Sequence, residues 1–408
     1  MDHLIDLAPH LVLVFAVGVL IGRFLNLCIV RFPRDDSFVG QLKLLFRRPR
    51  ACDGCGIPRS WWQCLPLTGL LSKTARCGGC RRRIPRRFAV VELLTGGLLA
   101  VLYAFELQPE VGLTDAQLQL RFLYHAVMFC ALIVATFIDF DLKIIPDGST
   151  LPAMAVGVLG GWLLPYVFLT EVWYQQPHLS FFEQLAQGEW SWLAVFQGRP
   201  EWIERWPHLH GLAVSLAGLV VGGGIVWSVR IMGERVLGRE AIGFGDVILL
   251  AMIGSFVGWQ AAAIVFFLAP LFALMTVVPS WIFLRNREIP FGPYLSLAAV
   301  VVVLFWQQIW ENTDQIFSLG VFLPVVGLVM LCALASLLGM WLGIKRLFGF
   351  EAEEEFIEEW TSGDQLSFLA NEVIDPDQGQ WRRDSWPGGD AGRGRLQSRR
   401  WRGGGGWQ

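Results

Sequence analysis

Apolar residues in this chain gather into long runs, not into the short alternations of an amphipathic soluble fold. Nine runs stand out: Leu11–Val30, Val90–Glu106, Leu120–Ile138, Leu151–Thr170, Gly211–Val229, Val247–Gly258, Gln260–Leu284, Tyr294–Trp310 and Phe317–Ile344. Most approach the roughly 20 residues that a helix, rising about 1.5 Å per residue, needs to cross a hydrocarbon core. The sixth is short, and Trp259 and Gln260 divide it from the seventh. Backbone polar groups inside a bilayer must be satisfied within the segment. The pattern therefore predicts an all-α polytopic membrane protein, a bundle of about eight or nine transmembrane helices. The first run reads as a retained span, because Met1–His10 carries Asp2 and Asp6 but no Lys or Arg.

Composition agrees with the pattern. The 408 residues are 54% hydrophobic and only 17% charged, and mean hydropathy is +0.48, outside the range of an ordinary soluble domain. The 19 Trp suit interfacial belts. The net charge of −2 hides an uneven distribution: Arg31–Arg87 alone holds 14 Lys and Arg. So basic a loop stays in the cytoplasm, which puts the N-terminus outside. Arg230, Arg235, Arg239, Arg285, Arg287, Lys345 and Arg346 then fall on the cytoplasmic side as well.

The expected organisation is a first transmembrane helix (1–30), a basic cytoplasmic loop domain (31–88) and a membrane-embedded core (89–310) with an extracytoplasmic insertion (171–210). A further transmembrane helix (311–346) and a cytoplasmic tail (347–408) follow. Within the tail, Asp375–Gln408 is Gly, Arg and Asp with few aliphatics and is expected to stay unfolded.

Two constellations carry chemistry. Cys52-Asp-Gly-Cys55 and Cys77-Gly-Gly-Cys80 lie in the basic loop. Each CxxC can present two thiolates to one ion, and two pairs complete a tetrahedral shell. The reducing cytoplasm disfavours a disulfide. A structural zinc on Cys52, Cys55, Cys77 and Cys80, in a small zinc-ribbon-like domain, is the expectation; redox-active thiols are the competing reading.

The second constellation is acidic. Asp139, Asp141 and Asp147 lie in Phe137-Ile-Asp139-Phe-Asp141-Leu-Lys-Ile-Ile-Pro146-Asp147, and Asp246 closes Gly243-Phe-Gly245-Asp246. Carboxylates beside a bilayer core are expensive and so are functional candidates. Both stretches fall on the cytoplasmic side of a topology set from the basic loops alone. Two carboxylates brought together can divide the work of hydrolysis, one donating a proton and the other activating water. Gly243 and Gly245 would permit unusual backbone angles and close approach of a substrate strand. Asp246, at a helix start, is the expected base and Asp139 the expected acid. The residues themselves leave Asp139 and Asp141 open as the first partner. Asp147 reads as an end residue or helix cap.

In their order these motifs resemble the bacterial type IV prepilin peptidases, the leader peptidases of the Gly-x-Gly-Asp aspartyl type. The resemblance runs through Phe24-Leu25-Asn26, Arg31-Phe-Pro33, the paired CxxC loop, Ile84-Pro-Arg86-Arg-Phe88 and Val91-Glu92-Leu-Leu-Thr95-Gly96. It continues through the first aspartate motif, Glu240 with Gly243–Asp246, and Pro290-Phe-Gly-Pro-Tyr294, covering roughly Gly22 to Leu304. It implies cleavage of a basic leader from prepilins or type II secretion pseudopilins at the cytoplasmic face of the bacterial inner membrane. It also implies, for many members, methylation of the new N-terminus with S-adenosylmethionine. Catalytic roles would fall to Asp139 and Asp246; Asp139 is preferred over Asp141 because it lies seven positions before Pro146. Gly243, Gly245, Asp141, Glu92 and Glu240 would support them. Expected partners are the precursor proteins and the lipid bilayer, with no nucleic acid. Departures are Ile248 where the family commonly has Lys, Asp53 where it usually has Pro, nine runs against eight, and the insertion Glu171–His210. The residues alone also admit a proton-coupled transporter, or a zinc-loop scaffold in which the aspartates would be expendable.

Overall fold

The computed structural model describes residues 2–35, 37–46, 65–68, 76–77, 79–80, 85–108, 113–172, 201–237, 242–283, 290–317, 323–347, 374–375 and 380–381. The helices are α1 (Asp2–Arg31), α2 (Phe38–Phe46), α3 (Arg87–Glu106), α4 (Asp115–Leu142), α5 (Asp147–Leu163) and α6 (Glu201–Arg205). They continue as α7 (Pro207–Leu237), α8 (Phe244–Val257), α9 (Trp259–Phe283), α10 (Gly292–Leu304), α11 (Trp306–Phe317) and α12 (Leu323–Leu347). A short antiparallel pair, β1 (Ile374–Asp375) with β2 (Gln380–Trp381), lies in the tail. The chain divides into two compact units, one of Met1–Phe46 with Val90–Met340 and one of Arg47–Ala89 with Trp341–Gln408.

In the first unit, α8 is the axis. Its sequence is apolar on every side, as a helix enclosed by neighbours must be, and Asp246, Val247 and every residue from Leu249 to Val257 are buried. The core around it draws Met128, Phe129 and Leu132 from α4, Val226 from α7, and Leu295 and Ala299 from α10. Small residues let backbones meet: a Cβ on Gly218 of α7 would collide with the Gly254 carbonyl of α8, and one on Gly22 of α1 would lie 2.7 Å from the Glu92 Cα of α3. The outer faces stay apolar, with Val12 and Leu20 on α1, Val220 and Trp227 on α7, and Phe267 and Leu271 on α9 exposed. These faces are suited to lipid, since so much exposed apolar surface is untenable in water.

Local signals set the boundaries. A capping box opens α4: Thr114 Oγ1 accepts from the Gln117 amide at 3.4 Å, and Gln117 Oε1 accepts from the Thr114 amide at 2.8 Å. Lys143, left-handed at φ 56°, ends it. Gly258 at φ 84° separates α8 from α9, just before the expected break at Trp259 and Gln260, which already belong to α9.

Among the described residues six helices are long and apolar enough to cross a membrane, or seven if α10 and α11 count as one span, against the expected eight or nine. Two expected spans are short: α5 has 17 residues and α8 has 14. The run Tyr294–Trp310 is not one straight span, because α10 and α11 meet at 96°. The physical reason is amphipathicity. In α11, Trp306, Ile309, Trp310 and Phe317 alternate with Gln307, Gln308, Glu311 and Asn312, a pattern suited to an interface and not to a hydrocarbon core. The run Phe317–Ile344 is correspondingly shifted, with Phe317 closing α11 and α12 starting at Leu323.

The second unit holds, among its described residues, a turn at 65–68, Cys77, Cys80 and the β pair. Most of the expected zinc-ribbon-like domain, including Cys52 and Cys55, lies outside the described residues. So does all of Asp375–Gln408 except the strand residues.

Candidate active site

Four helix termini meet at one end of the first unit. The last turn of α4 carries Asp139, the first turn of α8 carries Asp246, and α5 and α10 begin beside them. Both carboxyl-bearing residues are buried, Asp139 at 6% exposure and Asp246 at 8%. Asp139 Oδ2 accepts a hydrogen bond from the Gly292 amide at 3.1 Å. Gly292 is the first residue of α10, so the donor is one of the N–H groups a helix leaves without an internal partner. A Cβ on Gly292 would stand 2.5 Å from that same carboxylate oxygen. Here the missing side chain is what admits Asp139.

Asp246 sits three residues into α8 behind its N-cap, Gly243. Its Oδ2 lies 3.6 Å from where a Cβ on Gly243 would stand. The two aspartates, 107 positions apart in the chain, are thus brought to the same end of the bundle. Ile145 stands between their supports: its Cβ would lie 3.0 Å from a Cβ on Gly245, and its Cδ1 3.2 Å from one on Gly292. Arg230 of α7 braces the approach to Gly243, donating to the Ile242 carbonyl at 2.9 Å with its guanidinium 5.9 Å from the Phe244 ring centre.

The glycines serve close approach and not unusual angles. Gly243 is extended at φ −66° and ψ 148°, and Gly245 is helical; among the described glycines only Gly258 has positive φ. Asp141 lies on the same last turn of α4, half-buried, on a different face from Asp139. Asp147 is the first residue of α5 and not its cap, a place taken by Pro146. Glu92 is 1% exposed and joins α3 to α1, accepting from Arg23 at 3.1 Å and from Asn26 at 3.4 Å. Glu240, Cys52 and Cys55 lie outside the described residues. Cys77 is buried and Cys80 exposed, and no group of three or more metal-binding side chains occurs among the described residues.

Gly292 and Ile145 were not singled out from the sequence as site residues. The stretches containing them, Pro290–Tyr294 and Ile145–Asp147, are visible, but nothing local says that the Gly292 amide reaches Asp139 or that Ile145 packs against Gly292. A second buried cluster also escaped notice. Glu106 Oε2 receives Arg121 Nε at 2.5 Å, and its Oε1 lies 2.6 Å from His125 Nδ1. His125 is 14 residues before Asp139 on α4, about 21 Å along the helix, so this cluster belongs to the opposite end.

Two family profiles match the chain. The Bacterial Peptidase A24 N-terminal domain matches residues 16–105 and the Type IV leader peptidase family matches residues 192–278. The second segment includes Asp246, and Asp139 falls between the two. A prepilin leader peptidase/N-methyltransferase of Aeromonas hydrophila is 30% identical over 325 residues, covering 74% of this chain and 93% of the relative. Proteins of the same name from Pseudomonas aeruginosa, 27% identical over 73% of this chain and 91% of theirs, and Neisseria gonorrhoeae, 24% identical over 77% and 97%, are also similar. No solved structure matches.

Proposed function

The chain belongs to the type IV leader peptidase family, and from that premise we propose that Asp139 and Asp246 hydrolyse the bond between a basic leader and the apolar helix of a prepilin or pseudopilin. The observation that carries this is the convergence of two buried aspartates, from the end of α4 and the start of α8, on supports that share the Ile145 side chain. Asp246 takes a proton from water as the oxygen attacks the scissile carbonyl, while Asp139 gives its proton to the carbonyl oxygen; as the tetrahedral intermediate collapses, Asp246 passes its proton to the leaving amine and Asp139 recovers one from the diol oxygen. The Gly292 amide holds Asp139 in place for that transfer. Gly243 leaves the space beside the Asp246 carboxyl free of a side chain, and Gly245 lets Ile145 pack against the start of α8. Asp141, on its separate face, is not a reacting group.

Orientation follows the same reading. Arg31, Arg34, Lys43 and Lys143 cluster in the chain around the aspartate end, which suits the cytoplasmic face of the bacterial inner membrane, with the N-terminus outside. Cys77 and Cys80, three positions apart, offer half of a tetrahedral thiolate set. With Cys52 and Cys55 they would hold a structural zinc that leaves no open position for chemistry. The relatives' second activity extends the proposal to methylation of the new N-terminus, with S-adenosylmethionine supplying the methyl group. The family resemblance associates that role with the basic loop 31–88.

The test is cleavage of a precursor with a basic leader by purified enzyme in detergent. Asp139→Asn and Asp246→Asn should each abolish cleavage, while Asp141→Asn should retain it. Normal cleavage by either of the first two variants would overturn the assignment. Incubation with a labelled methyl donor tests the second activity.

A further inference from the structure

α5 begins next to the aspartates but cannot cap itself. Its N-cap is Pro146, which makes no side-chain hydrogen bond to the helix, so the first amides need acceptors from elsewhere. The amide of Gly148 finds one in Gln41 Oε1 at 2.6 Å, on a residue 107 positions earlier in α2. The other end of the Gln41 amide is also fixed, with Nε2 donating to the Asp35 carbonyl at 2.9 Å. Gln41 is 5% exposed. A Cβ on Gly148 would lie 2.6 Å from Gln41 Oε1 and 3.2 Å from both Gln41 Cβ and Phe32 Cε1, so this glycine exists to let the glutamine in.

The helix that presents Gln41 is itself held at both ends. Ser37 Oγ accepts from the Gly40 amide at 3.1 Å at its start. Arg31 donates to the carbonyls of Leu44 at 2.6 Å and Leu45 at 3.0 Å at its end. A rigid α2 therefore sets the position of Gly148. Three residues before Gly148 stands Ile145, wedged against Gly245 behind Asp246 and against Gly292, whose amide holds Asp139.

Taking the peptidase reading as its basis, we infer that Gln41 is a positioning residue for the aspartate pair, capping α5 from α2 and thereby fixing the Ile145 wedge between Gly245 and Gly292. The cap lies in the part of the chain matched by the N-terminal family profile and acts on the peptidase core. Folding of the N-terminal segment through Phe46 is thus a requirement for active geometry, separate from anything the cysteine-bearing part of the loop binds.

The experiment compares full-length wild type, Gln41→Ala, Gln41→Glu and Asp139→Asn in detergent, with cleavage kinetics on a precursor and hydrogen exchange of the intact protein. Gln41→Ala should lower kcat per folded enzyme about ten-fold with KM within about two-fold, as expected for a sub-ångström displacement of reacting groups. Amide exchange in 145–150 should rise about five- to ten-fold, the range of a lost helix cap, with exchange in 249–256 of α8 unchanged. Gln41→Glu keeps an acceptor for the Gly148 amide but loses the donor to the Asp35 carbonyl, so it should recover part of both effects. Wild-type exchange in 145–150 for Gln41→Ala would overturn the inference whether or not the protein cleaves anything. So would a loss of rate only in proportion to folded protein, or failure of Gln41→Glu to recover. Absence of cleavage by wild type, or cleavage by Asp139→Asn, would instead sink the peptidase assignment and leave the exchange result to judge Gln41.

Discussion

Replacing Gly292 with alanine separates the chemistry of the site from the stability of the fold. The new Cβ would stand 2.5 Å from Asp139 Oδ2, whereas a carbon and an oxygen rest at about 3.3 Å or more. The carboxylate must therefore withdraw by roughly 0.8 Å, because the atom it meets lies on the α10 backbone and cannot yield. A withdrawal of that size stretches the 3.1 Å bond from the Gly292 amide beyond useful length. Misplacement of a reacting group by about 1 Å costs on the order of 100-fold in rate, so kcat should fall about 30- to 100-fold. Stability should change much less than rate: alanine in a first helical turn is favoured over glycine by about 0.4–1 kcal/mol, which partly offsets a cost of about 1–3 kcal/mol for leaving the buried Gly292 amide without its acceptor. Precursor cleavage and a thermal melt in the same detergent give both readings, with Gly97→Ala as control, since a Cβ there meets nothing within 4 Å. An alanine variant that cleaves within two-fold of wild type would refute the argument that this glycine makes room for Asp139.

Other outcomes follow from the packing. Gly218→Ala drives a Cβ into the Gly254 carbonyl, a backbone atom on the central helix, and should cost about 1–3 kcal/mol, read as a lower melting temperature. Glu106→Gln leaves Arg121 and His125 without their carboxylate at side-chain exposures of 14% and 0%. That change should destabilise the protein by about 3 kcal/mol or more, while enzyme that remains folded keeps its kcat, because the cluster lies at the far end of α4. Metal analysis of purified protein should find about one zinc per chain, lost on replacing Cys52 and Cys77 with serine. A metal-free wild type with full activity would remove the zinc proposal.

What could be read from the sequence was whatever is written locally. The all-round apolar character of Val247–Val257 marks an enclosed helix, the Gly258–Trp259 step marks its end, and a carboxylate beside an apolar run marks expense. Asp139 and Asp246 were legible on that ground. The wedge of Ile145, the amide of Gly292 and the cap from Gln41 were not, because each depends on contact between residues 100 or more positions apart. The bend at Phe305 was hidden for a different reason. Trp306, Ile309 and Trp310 prolong the apolar run in a sliding window, although the polar residues between them give α11 a wet side. Glu106 was hidden by standing at the last position of a run, where a carboxylate reads as an end marker.

The shortness of α8 bears on how the enzyme meets different lipids. Fourteen residues extend about 21 Å, less than the thickness of the oily layer, so this helix cannot register against both headgroup surfaces. Its height is dictated by the glycine seam with α7 and by the core it shares with α4 and α10. Thinner or thicker membranes can tilt or stretch the surrounding spans, yet the vertical offset between the two acidic groups is a property of the protein, indifferent to acyl-chain length.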